Sequence, residues 1–282
     1  MAGRAERANA TRAHILVAAE RLFAEHGVYV VSNRQISEAA GQGNNAAVTY
    51  HFGTKAELVR AIARKHGRQI ERVRERMLER PPGSDDVRDW QSSGFGEVCD
   101  WQSSGSDDVR DCQGSGSGEV RDWQSSGSDD VRGWVACLVR PVTEHLAALG
   151  NPTWFARFGA QVMTDPALHE IMIDEALTSP SLVRILDGLN RCLPDLPLPV
   201  RAERKHMTST LMMHTCADRE RALAEGRTTP RVSWHGAATG LIDAIVAIWT
   251  APVTRESNNV DPIPEPKPSV ASLQPCAEGR KS

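Results

Sequence analysis

The chain has 282 residues, 40% of them hydrophobic, and a formal charge of -3. This is enough apolar material for a sizeable core in one or two domains. The longest apolar stretch, near Leu241 to Ala251, contains Asp243 and is too short to span a bilayer, and the N-terminus MAGRAERANATR lacks a signal-peptide core, so a cytoplasmic location away from membranes is expected.

The average charge conceals an asymmetry. Residues 1–80 carry fourteen Lys or Arg against eight Asp or Glu, a balance of +6, whereas residues 81–133 carry four against twelve, a balance of -8. A basic N-terminal block suits phosphate binding, because cationic side chains release counterions condensed on DNA. Within it, ILVAAERLFAEHG predicts a first amphipathic helix. Ser32 with Gln35, and Thr54 with Glu57, form two candidate capping boxes that signal further helix starts. Gly41 and Gly43 bracket a turn between them. Ile36, Ala39 and Ala40 supply one small apolar face and Ala47, Val48 and Phe52 another, which is the pattern of two short helices crossing closely. A long helix over 54–80 follows, about 40 Å at 1.5 Å per residue. Its Arg64, Lys65, Arg68, Arg72, Arg74, Arg76 and Arg80, several alternating with Glu, read as a solvated face. For Arg4, Arg7, Arg12, Arg34 and Lys55, phosphate contact and plain solvation are both open.

Residues 81–133 are an array. Val87, Val98, Val109, Val120 and Val131 recur every eleven residues, and Trp90, Trp101, Cys112, Trp123 and Trp134 follow three positions after each. Gly, paired Ser and several Asp in each unit penalise helix, and one Val and one Trp per unit are too few for a core. A disordered acidic insertion is expected. Excising 83–126 joins ERPP directly to GSDDVRGWVACLVRPV, so the array reads as an expansion of one interhelical loop. A Trp-baited interaction segment, or an acidic arm competing with DNA for the basic face, is the functional alternative.

Beyond it, helices are predicted over 134–149, 154–163, 166–177, 181–193, 201–225 and 231–250, separated by Gly150-Asn151-Pro152, Asp165-Pro166, Ser179-Pro180 and PDLPLPV. The last contains Gly236, Ala237, Ala238 and Gly240, which permit close helix approach. Residues 252–282 are Pro-rich and polar and read as a disordered tail. Cys99, Cys112, Cys137, Cys192, Cys216 and Cys276 show no paired short spacing, so ordinary reduced thiols are expected rather than a disulfide framework, a metal site or a redox sensor. His169-Glu170 opens something like HExxH, but position 173 is Ile. His206 and His214 fall about eighty degrees apart on one helix, awkward for a shared metal. With no P-loop, GxSxG or dinucleotide fingerprint, neither catalysis nor a cofactor is expected.

The words ILVAAERLFAEHG, ISEAAG and VTYHFGTKAELVRAI resemble those of the TetR family of transcriptional regulators over about the first seventy residues. From Gly41 to Tyr50 the chain is one or two residues longer than the commonest form of that motif. The resemblance implies an all-α fold: a three-helix helix-turn-helix domain over 1–53, a connecting helix over 54–80, and a helical effector-binding and dimerisation domain over 134–251. It implies a homodimer whose last two helices from each subunit form a four-helix bundle, setting two heads on a palindromic site. Asn44, Asn45 and Thr49, with amide and hydroxyl groups at the start of the recognition helix, are the candidates for base edges. Tyr50, His51 and Lys55 are candidates for phosphate by the family's pattern, with Arg34 nearby. Trp154, Phe155, Phe158, Met163, Met172, Met207, Met212 and Met213, with Cys216, would line an effector pocket, although any one of them is core by default. Few charges accompany them, which favours a hydrophobic or aromatic effector. The expected function is a ligand-responsive repressor; the alternative is a helical protein- or effector-binding module without specific DNA binding.

Overall fold

A computed structural model describes residues 2–44, 46–79, 128–193 and 195–254. The tail expected over 252–282 falls almost wholly outside them. All regular elements among the described residues are helical. They are α1 (Ala2–His26), α2 (Asn33–Ala39), α3 (Ala47–Phe52), α4 (Lys55–Leu78), α5 (Ser128–Leu149), α6 (Phe155–Met163), α7 (Pro166–Leu177), α8 (Pro180–Cys192), α9 (Leu198–Ala224) and α10 (Trp234–Thr250).

Local chemistry sets most of these boundaries. Ser32 caps α2 in a full capping box: its hydroxyl accepts from the Gln35 amide at 3.2 Å, and Gln35 Oε1 accepts from the Ser32 amide at 2.8 Å. Thr54 caps α4 in half of one, accepting from the Glu57 amide at 3.1 Å. Asp165 and Ser179 cap α7 and α8, each followed by Pro where the missing N–H costs nothing. Between α3 and α4 a single residue turns the chain. Gly53 has φ +71°, a conformation that side chains resist, and so lets Thr54 start the next helix at once.

One apolar core runs through residues 15–249. In α1, Ile15, Ala18, Ala19 and Phe23 recur at helical spacing and are buried against α2, α4 and α6. Phe23 stacks on Phe158 of α6, with centroids 6.3 Å apart, so the first helix is joined directly to the second half of the chain. α5 is sandwiched between α4, α8 and α10, and α6 packs along α9.

Two expectations are corrected here. The helix after the array starts at Ser128, not Trp134, so the last eleven-residue unit lies partly inside α5. Val131 of that unit is fully buried, and the Trp134 ring lies where a Cβ on Gly188 would project. In this unit the Val is core and the Trp, partly buried, packs against it over the glycine that α8 offers. The remainder of the array lies outside the described residues. Secondly, α4 is not a plain solvated face. Arg64 forms a bidentate pair with Glu175 of α7 at 2.8 Å on both bonds, Lys65 reaches the buried Glu20, and Arg74 is 7% exposed.

Candidate nucleic-acid interface and ligand cavity

The reading head is built around Val48 and Phe52, which share one side of the short α3 at i and i+4 and are buried. Their burial leaves Thr49 and Tyr50 facing out; Tyr50 is 83% exposed, and its ring meets His51 edge-on at 5.1 Å. Thr49 Oγ1 accepts from Asn33 Nδ2 of α2 at 3.4 Å, which ties the outer faces of the two helices together. Asn44 lies ahead of the helix, where its Oδ1 accepts from the Ala46 amide at 2.8 Å and its carbonyl from the Ala47 amide at 3.0 Å, an Asx turn with the residue otherwise exposed. Asn45 falls outside the described residues.

The basic residues near the head divide by task. Arg12 does not project freely: it donates to the His51 carbonyl at 3.0 Å, and its guanidinium sits 4.3 Å above the Phe52 ring, clamping α1 to α3. Lys55 donates to the Val28 and Val31 carbonyls at 2.9 and 2.7 Å, so two of its three N–H groups hold the α1–α2 connection. Desolvation there lowers its pKa. Arg34 is exposed and pairs with Glu38 one turn along α2 at 2.8 Å.

Behind the head lies a buried polar chain that sequence reasoning missed. Glu20 of α1 meets His66 Nε2 of α4 at 2.9 Å, and His66 Nδ1 meets His145 Nε2 of α5 at 2.7 Å. Phe155 stacks on His66 with centroids 4.0 Å apart. Burial pushes the Glu20 carboxyl up, but its bonds to His66 and Lys65 outweigh that and hold it below its ordinary value. Burial, then the neighbouring His66, drive His145 down to about 4. Three helices are thus joined by polar groups in addition to their apolar packing.

A half-open cavity of about 970 Å³ lies beside α4 and is lined also by α5, α6, α7, α8, α9 and the end of α10. Of the residues expected to line it, Met163, Met172 and Met212 do, as do Phe155 and Met213. Trp154, Phe158, Met207 and Cys216 do not. Phe158 and Cys216 are core, 0% and 1% exposed, Met207 lies on the outside of α9, and Trp154 precedes α6. Burial pushes the Cys137 and Cys216 thiols up to about 11 and about 12, which favours the protonated thiol at neutral pH. The expectation of few charges is overturned: Arg64, Arg68, Glu71, Arg74, Glu175 and Lys205 also face the cavity. His169 and His206 meet across it with ring centroids 5.8 Å apart, and His169 Nε2 is buried without a hydrogen-bond partner. The signal for Arg74 was legible. Ile62, His66, Ile70, Arg74 and Met77 follow one another at three- and four-residue spacing, which puts the arginine on the buried stripe of α4.

Comparison with known proteins agrees with this architecture. Residues 15–62 match the family model described as bacterial regulatory proteins of the tetR family, and residues 136–247 match the model of a tetracyclin repressor-like C-terminal domain. The HTH-type transcriptional regulator TtgR of Pseudomonas putida is 46% identical over 57 residues, 20% of this chain and 27% of that protein. The HTH-type transcriptional repressor AcnR of Corynebacterium efficiens is 41% identical over 69 residues, 24% and 36% of the two chains. The likeness thus spans about a quarter to a third of these relatives' length. The TetR family transcriptional regulator PfmR of Thermus thermophilus, a solved structure, aligns over 86% of this chain and 96% of its own, at 14% identity and a TM-score of 0.38. With one model over the head and another over α5 to α10, the chain belongs to the TetR family of bacterial regulatory proteins.

Proposed function

We propose that the chain is a ligand-responsive repressor that acts as a homodimer on a palindromic operator and leaves it when an effector fills the cavity. The observation that carries this reading is the dual use of α4. Leu58, Val59 and Ile62 at its start are core of the head, and Ala63, Gly67, Ile70, Glu71 and Arg74 farther along are cavity wall. A rigid helix shared in this way conveys a displacement at one end to the other. An effector acts to the extent that it binds the two head positions with different affinity. A volume of about 970 Å³ lies within the range of small-molecule sites.

In this reading Thr49 and Asn44, with Asn45, address base edges, while Tyr50, His51, Arg34 and the remaining N–H of Lys55 address phosphates. Dimerisation through α9 and α10 is supported by the row Ala237, Gly240, Ala244 and Ala247, small residues at helical spacing of which Ala244 and Ala247 are exposed and Gly240 lies beside the Arg231 guanidinium. The other small residues are used within the subunit. Ala238 is buried, and the Arg231 side chain covers Gly236 at 3.4 Å. Selection of binding sites from random duplex DNA tests the proposal. A single palindromic consensus is expected, and no enrichment would favour a helical effector-binding module that does not read DNA. Light scattering at micromolar concentration should give twice the chain mass, and a monomer counts against the two-head geometry.

A further inference from the structure

We infer that the cavity's ligand is an amphipathic carboxylate, its apolar body among the methionines and its carboxylate on Arg74. This rests on the reading of the cavity as the effector site and adds the chemical class of the effector. The starting point is how the buried arginines are used. Arg204 donates to the Trp249 and Ala251 carbonyls at 2.7 and 2.6 Å, and Arg219 donates to Thr229 and to the carbonyls of Arg231 and Val232 at 2.6 to 2.9 Å. Those guanidinium groups fasten the ends of α10. Arg74, equally buried at 7% exposure, shares with Arg219 a buried Nε without a partner, but its terminal nitrogens make a single long bond, to Ser179 Oγ at 3.4 Å, and no direct ion pair among the described residues.

A guanidinium offers five N–H donors, and buried donors left without acceptors are costly. Burial lowers its pKa only to about 10, so it stays charged at neutral pH. The nearest acid is committed elsewhere. Glu71 accepts from the Ser179 hydroxyl and, at 3.0 Å, from the Ser181 amide, so both of its oxygens hold the start of α8. Arg64 and Glu175, on the same wall, satisfy each other. Arg74 therefore keeps unbonded N–H donors at the cavity wall, with Glu71 one turn back acting on its charge but not bonded to it, and a planar carboxylate matches those paired donors. Phe155, Met163, Met172, Met212 and Trp249 supply the surroundings for an apolar body.

Titration calorimetry of the full chain with two matched pairs tests this: dodecanoate against 1-dodecanol, and 2-naphthoate against 2-naphthol. Each acid is expected to bind at least about tenfold tighter than its neutral partner. Arg74→Gln should remove that preference while leaving the alcohols bound within about twofold of the original, and Arg74→Lys should keep part of it. Equal affinity of acid and alcohol for the unaltered chain overturns the carboxylate assignment and leaves the effector pocket standing; this comparison does not depend on either variant folding. A preference that survives Arg74→Gln also overturns it. Absence of binding by all four compounds removes the pocket reading and the inference together.

Discussion

At the scale of single residues, the head separates side chains that hold it together from those it presents. Arg12 and Lys55 belong to the first group by their bonds to backbone carbonyls, and Tyr50, 83% exposed, belongs to the second. Tyr50→Phe removes one hydroxyl and nothing else. Operator affinity measured by fluorescence anisotropy should fall by roughly 1 kcal/mol, about fivefold, equally on all sequences. Thr49→Ala should instead relax preference at one base pair of the selected consensus. Loss of discrimination in the Tyr50 variant, or uniform loss in the Thr49 variant, reverses these roles. The Glu20–His66–His145 chain carries a different expectation. His145 is held near pKa 4 in the folded protein against about 6.5 unfolded, so the unfolded chain takes up the proton first as pH falls. The associated stability is fully present above pH 6.5 and is lost towards pH 4, by something of the order of 3 kcal/mol. Glu20, whose pKa is also depressed, adds loss in the same direction below its ordinary value. Denaturant unfolding of His145→Gln should show a flatter pH dependence between 4 and 6.5 than the natural chain, and an identical slope would rule His145 out as the source.

At the scale of elements, close approaches decide which substitutions the fold tolerates. A Cβ on Gly188 would meet the Trp134 ring at 2.3 to 2.5 Å, whereas one on Gly159 would meet the Met213 sulfur at 2.6 Å and its terminal methyl at 3.0 Å. An indole packed against α8 is a rigid plane, while a thioether facing a cavity can rotate aside. Urea unfolding should therefore show Gly188→Ala costing about 2–3 kcal/mol and Gly159→Ala less than about 1. The same contrast explains how far the sequence could be read. Ser32, Thr54, Asp165 and Ser179 act through the next three residues, and those helix starts are local enough to be read without a fold. The partner of Arg74 and the neighbour of Trp134 lie roughly fifty or more positions away, so neither spacing nor composition reveals them. Met163, Met172 and Met212 reached the cavity while Phe158 and Cys216 became core because burial of an apolar residue looks alike in both settings until the opposing helix is known. The array boundary failed for a related reason: the fifth unit has nearly the residues of the others, and its packing of Trp134 against Gly188 of α8 is a contact that spacing does not reveal.

At the scale of the whole molecule, the connection between α4 and α5 can be shortened on geometric grounds. The two helices run antiparallel: His66 meets His145 near one end, and Met77 and Leu78 cluster with Cys137 and Leu138 near the other. Ser128 therefore lies about ten residues, some 15 Å, beyond the level of Leu78, and one helix diameter, about 10 Å, to the side. Removing residues 83–126 leaves residues 79–82 and 127 as the link. Six Cα steps at about 3.3 to 3.6 Å reach roughly 20 Å, which covers that diagonal with little to spare. The shortened chain keeps the buried Val131 and the partly buried Trp134 that packs against the core. Loop-closure entropy scales with the logarithm of length, so shortening a 49-residue connection to five should raise stability by roughly 2 kcal/mol if the link is unstrained. The urea midpoint should rise and the operator affinity should stay within twofold. A tighter complex in the shortened chain, with the gain shrinking as salt is added, would instead identify the acidic segment as a competitor for the basic head, since screening weakens that competition.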